Sequence, residues 1–144
     1  MMVRAANMSR KGHAVVEAAL LSPWLLLLFA AVFDFGFYAY SMIAVQNAAR
    51  VAALATASSP AARTVSVACP YVLQELQRMP NASALPAGCN APPLTVSVTA
   101  FTDAEGKAAS RVTVTYQTVQ LIPLPWLPGR LTINRSAEMR VYGE

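Results

Sequence analysis

One histidine, His13, serves the whole chain of 144 residues, and it lies near the N-terminus. No Ser/His/Asp arrangement and no histidine metal site can therefore be assembled in the chain beyond it. Cysteine is almost as scarce: Cys69 and Cys89 are the only two, and their spacing is not C-x-x-C. No glycine-rich phosphate loop is present either. Glu75, Asp103 and Glu105 are the acids available for chemistry, and solvation at the surface explains them better. An enzyme is not expected, and no catalytic residue, metal, cofactor or small-molecule substrate is implied. Charge is short too, at 12% of residues, about half the ordinary fraction. The formal charge is +4, but the cations after Lys11, from Arg50 to Arg140, stand singly. Nucleic-acid binders cluster their cations on one face, so that scatter argues against a nucleic-acid partner.

What the chain has in excess is apolar sequence, 56% of residues, concentrated between Ala14 and Ala57. Ala18 to Phe33 carries no charge. About 20 apolar residues cross a hydrocarbon core about 30 Å thick, and Ala18 to Phe37 supplies them. Asp34 then falls near the far interface beside Tyr38 and Tyr40, where aromatic rings settle. Arg4, Arg10 and Lys11 precede the span with no acid among them. By the positive-inside bias the N-terminus stays cytoplasmic and the rest lies outside. Both cysteines are then in an oxidising compartment, which favours a Cys69–Cys89 disulfide over free thiols. A cleaved secretory signal is the rival reading, with Ala55-Thr56-Ala57 as the small-residue site. That site sits well past the charge-free run, beyond Asp34 and Arg50, whereas signal cleavage follows closely.

Glu17 is the oddity. It stands at the mouth of the apolar run, five residues after Gly12, with no cation beside it on the helix face. A cut after Gly12 would start the chain at His13 with a free α-amine. In a bundle of staggered helices, the amine of one subunit could reach Glu17 of its neighbour, and the pair would fix axial register. The plainer reading is that Glu17 snorkels to headgroups, and Gly12 is then only a flexible juxtamembrane residue.

The leader resembles the class III signal of type IV pilins and pseudopilins. More narrowly, Gly12 and Glu17, the early Pro23, the step Asp34-Phe35-Gly36 and the exit Gln46-Asn47-Ala48-Ala49-Arg50 resemble the TadE-like family of tight-adherence (Tad) pilus proteins. The ending Ala137 to Glu144 is similar to that family's last strand. Asp34 replaces a commoner glutamate, and Ala18 stands where processed members often carry an aromatic residue. The resemblance implies a pseudopilin of the inner membrane, cut by a prepilin peptidase, with pilus subunits and the assembly platform as partners. Pro23 cannot donate to the carbonyl of Ala19 and loosens the helix there.

Beyond the membrane, Ile43 to Ala57 has no breaker and continues the helix. Ala44, Ala48, Ala52 and Thr56 recur every four residues, a small-residue stripe of the kind that lets helices approach closely; alanine is also simply abundant here. Ser58-Ser59-Pro60 ends the helix. Pro70 to Met79 reads as a short helix with proline in its first turn. Pro80 to Pro93 reads as a loop anchored by Cys89, and the glycosylation pattern at Asn81 reads as accidental. Three strands follow, Leu94 to Phe101, Arg111 to Val119 and Leu131 to Tyr142, with Asp103 to Gly106 as the first turn. Arg135 is the misfit on the apolar side of the last. Leu121 to Gly129 is an apolar loop that either caps the core or meets another surface. The expected plan is α+β: a basic leader over 1–12, a transmembrane and extended helix over 13–57, and a small antiparallel-sheet periplasmic domain over 58–144, a pilin-like arrangement. Two functions fit, a minor pseudopilin assisting assembly of a Tad/Flp-type (type IVc) pilus, or an unprocessed membrane-anchored periplasmic adaptor or binding domain.

Overall fold

The computed structural model describes residues 5–122 and 129–142. The expected plan of a long apolar helix followed by a small antiparallel sheet is the one observed. In chain order there are α1 (Ala5–Thr56), α2 (Val65–Leu76), β1 (Asn90–Ala91), β2 (Leu94–Thr102), β3 (Ala108–Gln117) and β4 (Thr132–Arg140), with single 3-10 turns at Pro60–Ala62 and Ala82–Ala84. The chain divides into two compact units, Met1–Gly36 and Phe37–Glu144.

The first unit is the inner part of α1. Its large apolar side chains, among them Leu20, Trp24, Phe29, Phe33 and Phe35, are exposed. The stretch Gly12–Thr56 is long and apolar enough to cross a membrane. Helix begins at Ala5 and continues through Gly12, so the backbone does not mark the end of a leader there.

The second unit starts at Phe37, twenty-one residues before the expected boundary at Ser58. The reason is that the outer part of α1 supplies the core. Val45, Ala48, Ala49, Ala52 and Ala53 join Ala68, Val72 and Leu76 of α2 and Leu94, Val96, Val112, Val114, Tyr116 and Ile133 of the sheet in one buried cluster. The sheet is an antiparallel meander in the order β1-β2-β3-β4. Register puts Leu94 opposite Tyr116 and Val96 opposite Val114, and Ile133 opposite Tyr116 and Ala137 opposite Val112. Alternation follows from the period of two along a strand, which sends one set of side chains to the helices. Ala100 shares that face yet lies exposed. On the other face Arg111 meets Glu138 at 2.7 Å and lies 5.1 Å from the centre of the Phe101 ring.

α2 differs from the expected helix. It starts at Val65, five residues before Pro70, which is an interior residue rather than a first-turn one. Thr64 is the extended residue before it, and its carbonyl accepts from the N–H groups of Val67 and Ala68. An interior proline forfeits one helical hydrogen bond. Burial of Ala68, Cys69, Val72 and Leu76 on one face, together with the Cys69–Cys89 disulfide, offsets that loss. The bridge joins α2 to the residue before β1.

The turn after β2 is built on Asp103. Its Oδ1 accepts from the N–H groups of Glu105 and Lys107, both at 2.9 Å, and Gly106 takes φ +77°, the left-handed conformation glycine tolerates. Arg140 pairs with Asp103 and, at 2.9 Å, with Glu105. The Lys107 N–H is the main cause holding the Asp103 carboxyl below its usual range; the Glu105 N–H and Arg140 help, while burial opposes them. Asn81 is also structural: its side-chain oxygen accepts the hydroxyl of fully buried Tyr116. Burial raises the Tyr116 pKa, with the Asn81 bond acting the other way. The apolar loop's residues 123–128 lie outside the described residues.

Candidate functional site along the first helix

Every residue singled out for processing or assembly lies on α1 or at the disulfide. Gly12 is helical, and a methyl group added to it would meet nothing within 4 Å. Glycine in a helix interior is destabilising by roughly 0.5–1 kcal/mol relative to alanine, so Gly12 makes this turn easier to open. His13 and Glu17 are four residues apart, on one helix face, and both are exposed. Glu17 makes no ion pair among the described residues.

Further along, Pro23 sits inside the helix, leaving the carbonyl of Ala19 without its usual donor. Asp34 is half-buried and Phe35 exposed. Gly36, like Gly12, has open space where a side chain would go. Among the described residues no close approach requires glycine at that position.

The alanine stripe has a different fate. Ala48 and Ala52 are fully buried and Ala44 is half-buried, all against the core of their own chain. The small side chains admit α2 and the sheet close to α1. At the helix end, Thr56 and Ser110 share a buried hydrogen bond of 2.9 Å, and the Ala57 carbonyl accepts from the N–H of Tyr142 at 3.0 Å. Sequence periodicity identified a close-packing face; it could not say whether the neighbour was another helix or the chain's own sheet.

Residues 12–54 match the family model for TadE-like proteins. The TadE-like segment thus runs from the glycine before His13 to within two residues of the end of α1, and the sheet lies outside it. No curated protein and no solved structure matches the chain.

The geometry separates two jobs within the TadE-like exit Gln46-Asn47-Ala48-Ala49-Arg50. Its two alanines are buried, while its polar residues rim a depression of about 290 Å³ lined by Met42, Ile43, Gln46, Asn47, Arg50 and Arg135. Ile43 and Asn47 also border a second cleft, of about 430 Å³, between α1 and the α2 end around Glu75 and Arg78. The convergence of Arg50 and Arg135 was not read from the sequence. Its one signal was Arg135, a charge on the apolar face of its strand.

Proposed function

We propose that the chain is a minor pseudopilin that assists assembly of a Tad/Flp-type pilus at the bacterial inner membrane, with its N-terminus cytoplasmic and the Phe37–Glu144 unit periplasmic. A prepilin peptidase cuts between Gly12 and His13. The new α-amine of one subunit then meets Glu17 of its neighbour, and the pilus subunits and assembly platform are its partners. The observation that carries this reading is the pair of open positions in the TadE-like segment: exposed Glu17 without an ion pair among the described residues, and Gly36 without a neighbour. Each has a cost in the lone chain and a use only against another helix, where a small residue admits close approach.

The continuous helix through Gly12 supports a second reading, an unprocessed membrane-anchored adaptor, because a peptidase must first open that turn. Intact mass measurement of the membrane-extracted protein separates the two. A chain beginning at His13, dependent on the peptidase, is expected; an intact leader selects the anchor. Glu17→Ala extends the test. The variant should insert and be cut, yet fail to co-purify with other pilus subunits, since orphaning one member of a buried pair costs about 3–5 kcal/mol. Normal piliation by Glu17→Ala would reduce Glu17 to a snorkelling residue.

A further inference from the structure

The depression between α1 and β4 is populated in an unusual way. Arg135 occupies a core-facing position opposite Val114, is half-buried, and its side chain's only hydrogen bond among the described residues is from Nη1 to the Asn134 carbonyl at 3.3 Å. Arg50 lines the same depression. Neither pairs with a carboxylate among the described residues: Asp103, Glu105 and Glu138 are taken by Arg140 and Arg111, and Glu75 lines the neighbouring cleft instead. Arg50 is exposed and Arg135 half-buried at this hollow, and an anion between them would relieve the repulsion of two like charges. An inward charge on an edge strand also blunts unwanted strand pairing. That role requires Arg135 alone, and leaves Arg50 and the amides of Gln46 and Asn47 unexplained.

The lining surface itself is chiefly apolar, with the charged groups at its rim. Met42 is half-buried and Ile43 is 63% exposed, and both belong to the depression. Ile43 and Gln46 come three and six residues after Tyr40, about 4.5 and 9 Å of helical rise. The polar layer beyond the hydrocarbon is about 5–8 Å thick on each side, half the difference between about 40–45 and about 30 Å. The lower lip therefore lies at headgroup height when Tyr38 and Tyr40 mark the interface. Arg50 starts about 15 Å above Tyr40, but helical side chains lean toward the N-terminus, here toward the membrane.

We infer that this depression binds the headgroup of an anionic phospholipid, with Arg50 and Arg135 on the phosphate, Gln46 and Asn47 on polar headgroup oxygens, and Met42 and Ile43 against the glycerol and ester region. The inference rests on α1 crossing the membrane, as proposed above, and on neither processing nor pilus assembly. Such a site pins the outer unit to the membrane surface at a set height.

The test is native mass spectrometry of the full chain released from nanodiscs containing phosphatidylethanolamine and phosphatidylglycerol. Phosphatidylglycerol should be retained preferentially. Arg50→Gln and Arg135→Gln should each lower that preference roughly fivefold, and the double variant roughly twenty-five-fold, from about 1 kcal/mol per cation near an anionic surface. Arg135→Lys should keep most of the preference, which separates lost charge from lost folding. Arg130→Gln, an exposed cation outside the depression, should change nothing. Equal retention by the double variant, or an equal loss with Arg130→Gln, would overturn the site. So would indifference to phosphatidylglycerol with Arg135-dependent binding of a hexaglutamate peptide, which would assign the depression to an acidic protein. Failure of the chain to resist carbonate extraction would instead defeat the membrane reading beneath it.

Discussion

Breaking the Cys69–Cys89 bridge opens a loop of sequence separation 20 in the unfolded chain. In the chain-entropy model that closure is worth about 11 cal/mol/K, or about 3 kcal/mol at 25 °C. A unit of roughly a hundred residues loses about 4–8 °C of Tm for each kcal/mol, so the reduced protein should melt about 12–25 °C lower. Reduction keeps both sulfur atoms in place and so isolates the cross-link. The double variant Cys69→Ala, Cys89→Ala adds a packing loss, because these side chains are 4% and 0% exposed, and should melt lower still. Serine is the wrong replacement, since it would bury two hydroxyls. The assay is thermal and urea unfolding of the detergent-solubilised full chain by circular dichroism, with and without reductant. Thiol labelling should find no free cysteine until reductant is added. A reductant-induced shift below a few degrees would refute the loop-closure account. Ready labelling of the untreated protein would refute the periplasmic orientation on which the bridge depends.

Three further outcomes follow from the packing. Gly36→Leu should leave insertion and the fold of the Phe37–Glu144 unit intact, because a Cβ added there meets nothing within 4 Å, yet reduce co-purification with pilus subunits; unchanged co-purification would remove Gly36 from any interface. Ala52→Leu, at a fully buried position, should destabilise the unit by about 1–3 kcal/mol through overpacking, measured by urea unfolding. Asp103→Asn keeps an acceptor in the turn but loses the charge paired with Arg140. Since the folded pKa of Asp103 is depressed, its contribution is present above the unfolded value of about 3.9 and is lost as pH falls through the folded one. The stability gap between wild type and variant should therefore be open at pH 6 and close in that acid window; a gap independent of pH would mean the carboxylate's charge plays no part.

The parts of the fold legible in the sequence are those whose signal is local. Val112, Val114 and Tyr116 alternate with polar residues and are all fully buried, because a period of two leaves little choice of face. The turn at Asp103 to Gly106 was legible for the same reason. α2 was misplaced because Pro70 suggested a start, while the actual start depends on burial of Ala68 and Cys69 that no local pattern announces. β1, two residues long, is too short to alternate. The Asn81–Tyr116 bond spans 35 residues and left no trace beyond two ordinary polar side chains. Of the site, Gly12, Glu17 and Gly36 were readable as a motif along one helix. That Arg50 and Arg135 line one depression depends on the tertiary fold, since β4 and α1 lie far apart in sequence.

The tie between Tyr142 and Ala57 bears on the order in which the outer unit is made. A chain threaded outward from its first helix delivers the alanine face early and its cover late. The β2–β3 and β3–β4 pairings are between neighbours in sequence and can zip as they emerge. The grip on the helix is long-range: Thr56 waits 54 residues for Ser110, and Ala57 waits for nearly the whole remaining chain. Until β4 arrives, β3 is paired with β2 alone and has one bare edge, and the helix end keeps a vacant carbonyl. In the periplasmic orientation proposed above, a subunit halted before β4 would present a wet alanine ridge and a bare strand edge, a form that a protease can tell from the folded one.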